Sequence, residues 1–228
     1  LDLGAAEAAG RLERVNLLPD YHARLASLVD LEDMRAAGLT IVVDAMYGAG
    51  GGQYPALLAE GSTRVVELNG QPNPAFPGLR GPEPVAANLV QLGRVVTESR
   101  SALGRALDGD ADRIGLVDEH GRYVNQQQVF ALLALYLIEQ RGWHGPIVKS
   151  VNASTMLDLI AAEHGLATHT TPVGFKFLGP KLAEVNGIIA GEESGGFAFR
   201  GHLPERDGIL AGLFLVDFMR RLDRPASS

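Results

Sequence analysis

The chain has 228 residues, 46% hydrophobic and 21% charged, which is a globular composition with room for two domains of about 100 residues each. Its net charge is −7 and no stripe is rich in lysine or arginine, which excludes nucleic acid as an expected partner. It has no cysteine, which excludes disulfides and thiolate metal sites, so any metal must bind to oxygen or imidazole ligands.

Short β-branched runs alternate with longer segments of helical period along the first half of the chain. This alternation predicts βαβ units and sheets covered by helices. We interpret residues 1–16 as a linker or the remnant of a helix. The elements predicted after it are, in order, a strand at 40–44, a glycine loop at 48–52, a helix through 56–60, a strand at 64–68, an irregular proline-rich stretch at 69–84, a helix at about 84–97, and strands at 105–107 and 114–117.

A second βα series begins near Asn125, where we place the domain boundary, giving domains over residues 17–124 and 125–228. The predicted fold class is α/β, with two consecutive α/β/α domains that each contain a mixed, mostly parallel sheet covered by helices. The elements predicted in the second series are a helix at 126–141, a strand at 147–150, a helix at 154–164, a strand at 167–171, a helix at 175–185, a strand at 188–190 and a helix at 209–221.

The ends of the chain carry no targeting or membrane signal. No run of about 18 apolar residues occurs, and residues 1–10 lack the basic flank and apolar core of a signal peptide. We therefore expect a cytoplasmic protein with no membrane partner. The first residue is Leu rather than Met, and the last five trail off as Arg-Pro-Ala-Ser-Ser, so we expect that both ends have been cut.

An acidic turn separates the strands at 105–107 and 114–117. It reads Asp108-Gly109-Asp110-Ala111-Asp112-Arg113, with three carboxylates at alternate positions. Like charges this close repel one another unless a cation neutralises them. Hard oxygen ligands suit Mg²⁺ or Ca²⁺, so the turn predicts a divalent-cation site.

Other interpretations of the acidic turn remain open at this level. Its acids match positions 1, 3, 5 and 12 of an EF-hand loop, but Arg113 replaces the glycine required at position 6 and strand character comes after it. A metal-dependent phosphatase with Asp108 as nucleophile and Asp110 as acid is a second alternative. A non-catalytic divalent-cation-binding module and a simple solvated turn are the others.

Two further segments come directly after predicted strands. Gly191-Glu192-Glu193-Ser194-Gly195-Gly196 lies at a strand's carboxyl end, where open α/β sheets bind ligands, and its carboxylate and hydroxyl groups can hold sugar hydroxyls. Thr171-Pro172-Val173-Gly174-Phe175-Lys176 leads into a helix, where Lys176 can meet a phosphate. Each segment alone is weak evidence for a sugar or phosphate site, because glycine-rich acidic turns and surface lysines are common.

The three segments together, in this order and at these intervals, resemble the α-D-phosphohexomutase superfamily. The resemblance runs from about Leu17 to Arg221 and includes the proline-rich stretch at 73–84, which is similar to the family's second domain. It implies that the chain corresponds to domains two and three of the usual four, with domains one and four as its missing partners.

The resemblance also implies roles for individual residues. Mg²⁺ would be the cofactor, and hexose phosphates would be the ligands. The implied metal ligands are Asp108, Asp110 and Asp112; Arg113 would lie beside the phosphoryl group; Glu192 and Ser194 would hold the sugar hydroxyls; and Lys176 and Arg206 would be basic residues facing the substrate.

The family reaction moves phosphate between C1 and C6 of a hexose phosphate through a bisphosphorylated sugar. The Gly-Glu-Glu-Ser-Gly segment is more similar to the glucose and mannose branch than to the glucosamine branch, and does not separate glucose from mannose. None of the nine serines lies in the family's Ser-His-Asn-Pro context, so the resemblance implies that this chain alone is inactive.

Overall fold

The computed structural model of the chain describes residues 2–222 and 227. The helices are α1 (Leu3–Ala8), α2 (Leu18–Ala26), α3 (Leu31–Ala36), α4 (Gln53–Leu57), α5 (Val90–Ser99), α6 (Gln126–Leu135), α7 (Met156–Glu163), α8 (Phe175–Glu184) and α9 (Gly208–Leu222). The strands are β1 (Thr40–Asp44), β2 (Arg64–Leu68), β3 (Leu103–Leu107), β4 (Ile114–Val117), β5 (Tyr123–Val124), β6 (Ile147–Ser150), β7 (Thr168–Thr171), β8 (Ile189–Gly191) and β9 (Phe197–Phe199). A 3₁₀ turn at Ala86–Asn88 precedes α5, and a π-helical turn at Tyr136–Gln140 continues α6.

Several predicted elements lie where the sequence placed them, and others do not. Strands β1, β2, β4 and β6 have the predicted bounds, whereas β5, β9, α2 and α3 were not predicted. The helix predicted through 56–60 was placed too late. It begins at Gln53, because Gly52 at φ 77° turns the chain and Pro55 fits the first turn of a helix.

The predicted fold class, two α/β/α units with mixed sheets, is confirmed. The first sheet has the order β2-β1-β3-β4-β5, with two parallel and two antiparallel pairs. The second has the order β7-β6-β8-β9 and is mostly parallel, with only β8 and β9 antiparallel among its described pairs. The expected mostly parallel pairing therefore holds for the second sheet alone.

One apolar core joins the two sheets. It includes residues of β1 and β3 from the first sheet, β8 and β9 from the second, and helices α6 and α9 that lie between them. The last helix packs on β3 and β4 of the first sheet. The outer faces are covered separately, by α5 on the first sheet and α8 on the second. The two units therefore pack on each other through one shared apolar core.

Within the described residues, no helix combines the length and apolar character that crossing a membrane requires.

Candidate metal and sugar site

The acidic loop, residues 108–113, connects the antiparallel strands β3 and β4. One carboxylate oxygen each from Asp108, Asp110 and Asp112 lies within 4.8 Å of the others. Metal–oxygen bonds of about 2.1 Å for Mg²⁺ or 2.3–2.6 Å for Ca²⁺ allow bound oxygens to lie up to about 4 to 5 Å apart. The donor set and its spacing therefore fit one hard divalent cation.

The backbone of the acidic loop is held from two sides. The Gly109 N–H donates to the Pro82 carbonyl at 3.1 Å, and the Gly109 carbonyl accepts from the Ala49 N–H at 2.9 Å. Ala111 has φ 64°, a left-handed conformation that costs a non-glycine residue about 1–3 kcal/mol and persists only where the surroundings impose it. The glycine loop and the proline-rich stretch therefore hold the backbone that carries the three carboxylates.

Two arginines pair with Asp108 and Asp112 of the acidic loop, and Asp110 has no ion pair among the described residues. The Arg113 N–H donates to Asp108 Oδ1 at 3.0 Å, and its Nε donates to Asp108 Oδ2 at 2.5 Å. Arg206 Nη2 lies 2.7 Å from Asp112 Oδ2. Asp108 is only 1% exposed, and both of its oxygens are engaged by Arg113. These hydrogen bonds make the Asp108 carboxylate a poorer nucleophile, which argues against a phosphatase, while each oxygen keeps a further lone pair for a cation.

Burial raises the pKa of Asp112 to about 7, and the negative charge of Asp108 adds to the increase while Arg206 opposes it. Without a cation, Arg206 is the described group whose charge favours the ionised form of this carboxyl. A divalent cation at this loop favours the ionised form and would lower the pKa of Asp112.

The hairpin loop, residues 192–196, connects the antiparallel strands β8 and β9. Glu192 is 6% exposed, and its Oε1 accepts from the Gly174 N–H at 2.8 Å. Glu193 Oε2 accepts from Ser150 Oγ at 3.3 Å. Ser194 is half-buried, and no side-chain hydrogen bond holds it within the described residues. The loop thus combines the hydrogen-bonded carboxylate of Glu192 with a Ser194 hydroxyl that has no hydrogen bond among the described residues.

The structure brings the acidic and hairpin loops together. The Ile114 N–H donates to the Gly195 carbonyl at 3.0 Å, and Arg113 pairs with Gly196 as an isolated antiparallel bridge. Lys176 is exposed in the first turn of α8, with Nζ 5.0 Å from the centre of the Phe177 ring. Of the two predicted site residues that lie outside both loops, Arg206 pairs with both of them, whereas Lys176 makes no described ion pair or hydrogen bond with either.

Sequence reasoning missed the residues that support the site. The sequence suggested no role in the site for the glycine loop or for the irregular proline-rich stretch, yet Ala49 and Pro82 hold Gly109. Asp207 is buried, and the N–H of the next residue, Gly208, donates to the Ala111 carbonyl at 3.1 Å. The resemblance of residues 73–84 to the family's second domain was the one signal that could have drawn attention to Pro82.

Both halves of the chain match known protein domains. Residues 19–121 match the family model "Phosphoglucomutase/phosphomannomutase, alpha/beta/alpha domain II", and residues 125–228 match the corresponding domain III. The phosphoglucomutase/phosphomannomutase of Thermococcus kodakarensis is 34% identical over 212 residues, 93% of this chain and 46% of that protein. The phosphoglucosamine mutase of Chelativorans sp. is 32% identical over 235 residues, 100% of this chain and 50% of that protein.

Solved structures agree with these matches. An inferred phosphomannomutase of Thermus thermophilus superposes with a TM-score of 0.89 at 33% identity, over 94% of this chain and 49% of that one. A phosphoglucomutase/phosphomannomutase family protein of Burkholderia thailandensis gives 0.82 at 25% identity, over 94% and 46%. The chain therefore spans about half the length of the relatives it matches.

Proposed function

The chain belongs to the phosphoglucomutase/phosphomannomutase family, and we propose that it is the cation- and sugar-binding core of a phosphohexomutase. The proposal rests on one observation above all. Arg206 lies between Asp112 of the acidic loop and Glu192 of the hairpin loop, 2.7 Å from the first carboxylate and 3.8 Å from the second. The proposed metal ligands and the proposed sugar-binding groups therefore lie in one site.

In this proposal the acidic loop holds Mg²⁺ through Asp108, Asp110 and Asp112. A bound Mg²⁺ supplies Lewis-acid stabilisation of a transferring phosphoryl group. Arg113 donates its Nε–H to Asp108, so the two terminal nitrogens of its guanidinium can contact phosphoryl oxygens. Its weak contact with Glu83, at 3.6 Å across a half-exposed pair, is easily exchanged for a phosphoryl group.

The hairpin loop is proposed to bind the sugar. The Gly174 N–H fixes Oε1 of Glu192, so the carboxylate is oriented before a ligand arrives, and Ser194 offers a free hydroxyl beside it. Hydrogen bonds to adjacent hydroxyls would orient the ring. Lys176 and Arg206 provide the positive charge that a sugar phosphate requires.

The whole reaction proposed for the parent protein interconverts hexose 1-phosphate and hexose 6-phosphate through a bisphosphorylated sugar. We expect this chain alone to be inactive, because none of its nine serines lies in the family's nucleophile context. Domains one and four are proposed as the partners that supply the phosphoserine and a phosphate clamp. Relatives named for glucose or mannose and for glucosamine match at similar identity, and we favour glucose or mannose from Glu193 in the hairpin loop.

Calorimetric titration of the chain with Mg²⁺ tests the metal assignment. Asp110→Asn is expected to weaken Mg²⁺ binding at least tenfold, because one of three charged ligands is lost, and to leave folding intact, because Asp110 is exposed. Asp20→Asn, an exposed acid in the first turn of α2, is the matched control. Equal affinity in both variants would contradict the assignment.

Amide NMR shifts during a titration with glucose 1,6-bisphosphate in Mg²⁺ test the sugar assignment. Shifts are expected at the acidic loop and at the hairpin loop. Glu192→Ala should weaken sugar-phosphate binding much more than Mg²⁺ binding, because Glu192 is not a proposed metal ligand. Equal loss of both would show that the two roles are not divided between the loops. Hydrolysis of a generic phosphate ester, abolished by Asp108→Asn, would instead favour the phosphatase alternative.

A further inference from the structure

Arg206 occupies the space between the two loops. Beyond its contacts with Asp112 and Glu192, its guanidinium carbon lies 5.3 Å from the centre of the Phe175 ring. Its Nε is buried and makes no hydrogen bond within the described residues. Arg206 therefore pairs with carboxylates of two different loops, and only its contact with Asp112 is short. A third carboxylate, of the exposed Glu205, lies 3.5 Å from its Nε.

The backbone next to Arg206 is rigidly held. Asp207 is 8% exposed, and its carboxylate accepts the Tyr21 hydroxyl at 3.0 Å, His202 Nε2 at 2.9 Å and the Leu210 N–H at 2.8 Å. These donors come from α2, from the segment before Asp207 and from the first turn of α9. Since the main chain is fixed, Arg206 can change partners only by rotation of its side chain.

A guanidinium and a divalent cation compete for the same carboxylate. Asp112 Oδ2 is in contact with Arg206, and Mg²⁺ at the acidic loop would place two further positive charges close to it. Like charges at such short range repel strongly in a partly buried site. Binding of Mg²⁺ therefore drives Arg206 away from Asp112. Two other carboxylates lie close to its guanidinium, Glu205 at 3.5 Å and Glu192 at 3.8 Å. Because Glu205 is exposed and its pairing is screened by solvent, the buried Glu192 is the carboxylate that receives Arg206.

We propose that Arg206 is a positioning residue that exchanges partners, neutralising Asp112 until Mg²⁺ binds and then serving Glu192 and the phosphate of the sugar ligand. This inference rests on the proposed function. Its consequence is a reciprocal coupling of the two ligands. A sugar phosphate that attracts Arg206 removes the competitor of Mg²⁺, and Mg²⁺ in turn releases Arg206 for the sugar phosphate.

The test measures Mg²⁺ affinity by calorimetry, without and with saturating glucose 1,6-bisphosphate. Arg206→Gln is expected to bind Mg²⁺ alone roughly tenfold more tightly than the unaltered chain, because the competing charge is gone. The unaltered chain should gain about five- to tenfold in Mg²⁺ affinity when the sugar is added, and Arg206→Gln should gain about twofold at most. Arg94→Gln, which removes an exposed arginine paired with Glu98, controls for the change in net charge.

Arg206→Lys separates charge from geometry. It keeps the positive charge but cannot place two nitrogens on two carboxylates, so it should stay close to the unaltered chain for Mg²⁺ alone and lose most of the gain from the sugar. Weaker or unchanged Mg²⁺ binding by Arg206→Gln, or an equal sugar-dependent gain in both proteins, would overturn the inference and leave the proposed function standing. Absence of Mg²⁺ binding by the unaltered chain would overturn both.

Discussion

The acidic loop and the hairpin loop are built in different ways, although they meet in one site. The acidic loop is fixed by segments distant in sequence, through the Ala49 N–H, the Pro82 carbonyl and the Gly208 N–H. The hairpin loop receives one such backbone bond, from the Ile114 N–H to the Gly195 carbonyl, and is otherwise fixed by the pairing of its flanking strands and by hydrogen bonds to the side chains of Glu192 and Glu193. Its Ser194 hydroxyl stays uncommitted within the described residues.

This difference matches what each proposed ligand demands. A metal ion needs several oxygens at fixed short distances, so displacement of its ligands by an ångström abolishes the site. A sugar is recognised by hydrogen bonds whose partners can adjust. We therefore expect changes around the acidic loop to act on stability and metal affinity together, and changes around the hairpin loop to act mainly on sugar affinity.

The largest effect is expected from Gly48→Ala, which tests the rigid side of this comparison. A Cβ at this position would lie 2.4 Å from the Gly109 carbonyl oxygen and 2.9 Å from its carbon, and backbone atoms cannot rotate away. Urea denaturation should show a loss of about 2–4 kcal/mol in the free energy of unfolding, and Mg²⁺ binding should be lost.

Gly81→Ala is the control for Gly48→Ala, because a Cβ at Gly81 meets nothing within 4 Å. Its free energy of unfolding should change by no more than about 0.5 kcal/mol. A similar stability for both variants would show that the acidic loop is not held by the glycine loop.

Alkaline unfolding tests the role of Tyr21, whose hydroxyl donates to Asp207 next to Arg206. Burial, with the charge of Asp207, raises the pKa of Tyr21 far above its usual 10, and burial raises the pKa of Tyr54 to about 12. Above pH 10 the unfolded chain releases these protons while the folded chain keeps them. The stability that is fully present below pH 10 should therefore fall with rising pH, by up to about 1.4 kcal/mol per pH unit for each tyrosine.

Tyr21→Phe removes one such proton and one hydrogen bond to Asp207. At pH 8 it should lower the free energy of unfolding by about 1–2 kcal/mol, and between pH 10 and 12 its stability should fall less steeply than that of the unaltered chain. Denaturation at a series of pH values measures both effects. Identical slopes above pH 10 would show that Tyr21 ionises normally in the folded chain.

Gly196→Ala tests whether the hairpin loop tolerates a change that the acidic loop would not. A Cβ here would lie 2.2 Å from Cδ of Arg206, which belongs to a flexible side chain and can move. We expect a stability cost of about 1 kcal/mol, well below that of Gly48→Ala. Mg²⁺ binding should be kept or tightened because Arg206 is pushed off Asp112. A loss of stability equal to that of Gly48→Ala would remove the distinction between the two loops.

The smallest effect is expected from Ser150→Ala. Its Oγ makes one hydrogen bond of 3.3 Å to the half-buried Glu193. Loss of this bond should cost about 0.5–1 kcal/mol in unfolding free energy and reduce sugar-phosphate affinity by about threefold at most. A larger effect on the sugar than that of Glu192→Ala would assign the main sugar contact to Glu193.

The sequence by itself determined the local parts of this protein. The β-branched runs predicted β1, β2, β4 and β6 at their observed bounds, because alternation and burial of a strand depend on neighbouring residues. The convergence of Asp108, Asp110 and Asp112 was likewise predictable, since three acids at alternate positions in one short turn have little room to separate. The family followed from three motifs in a fixed order.

Only the tertiary structure decided how these parts support one another. The helix α9 lies about 100 residues after β3 in the chain yet packs on it, which places Arg206 and Asp207 beside the acidic loop. Pro82 and Ala49 reach Gly109 through backbone groups, which carry no side-chain signature in the sequence. The physical reason is that such contacts arise from packing two units around one core, and no local periodicity encodes the distance between residues far apart in the chain.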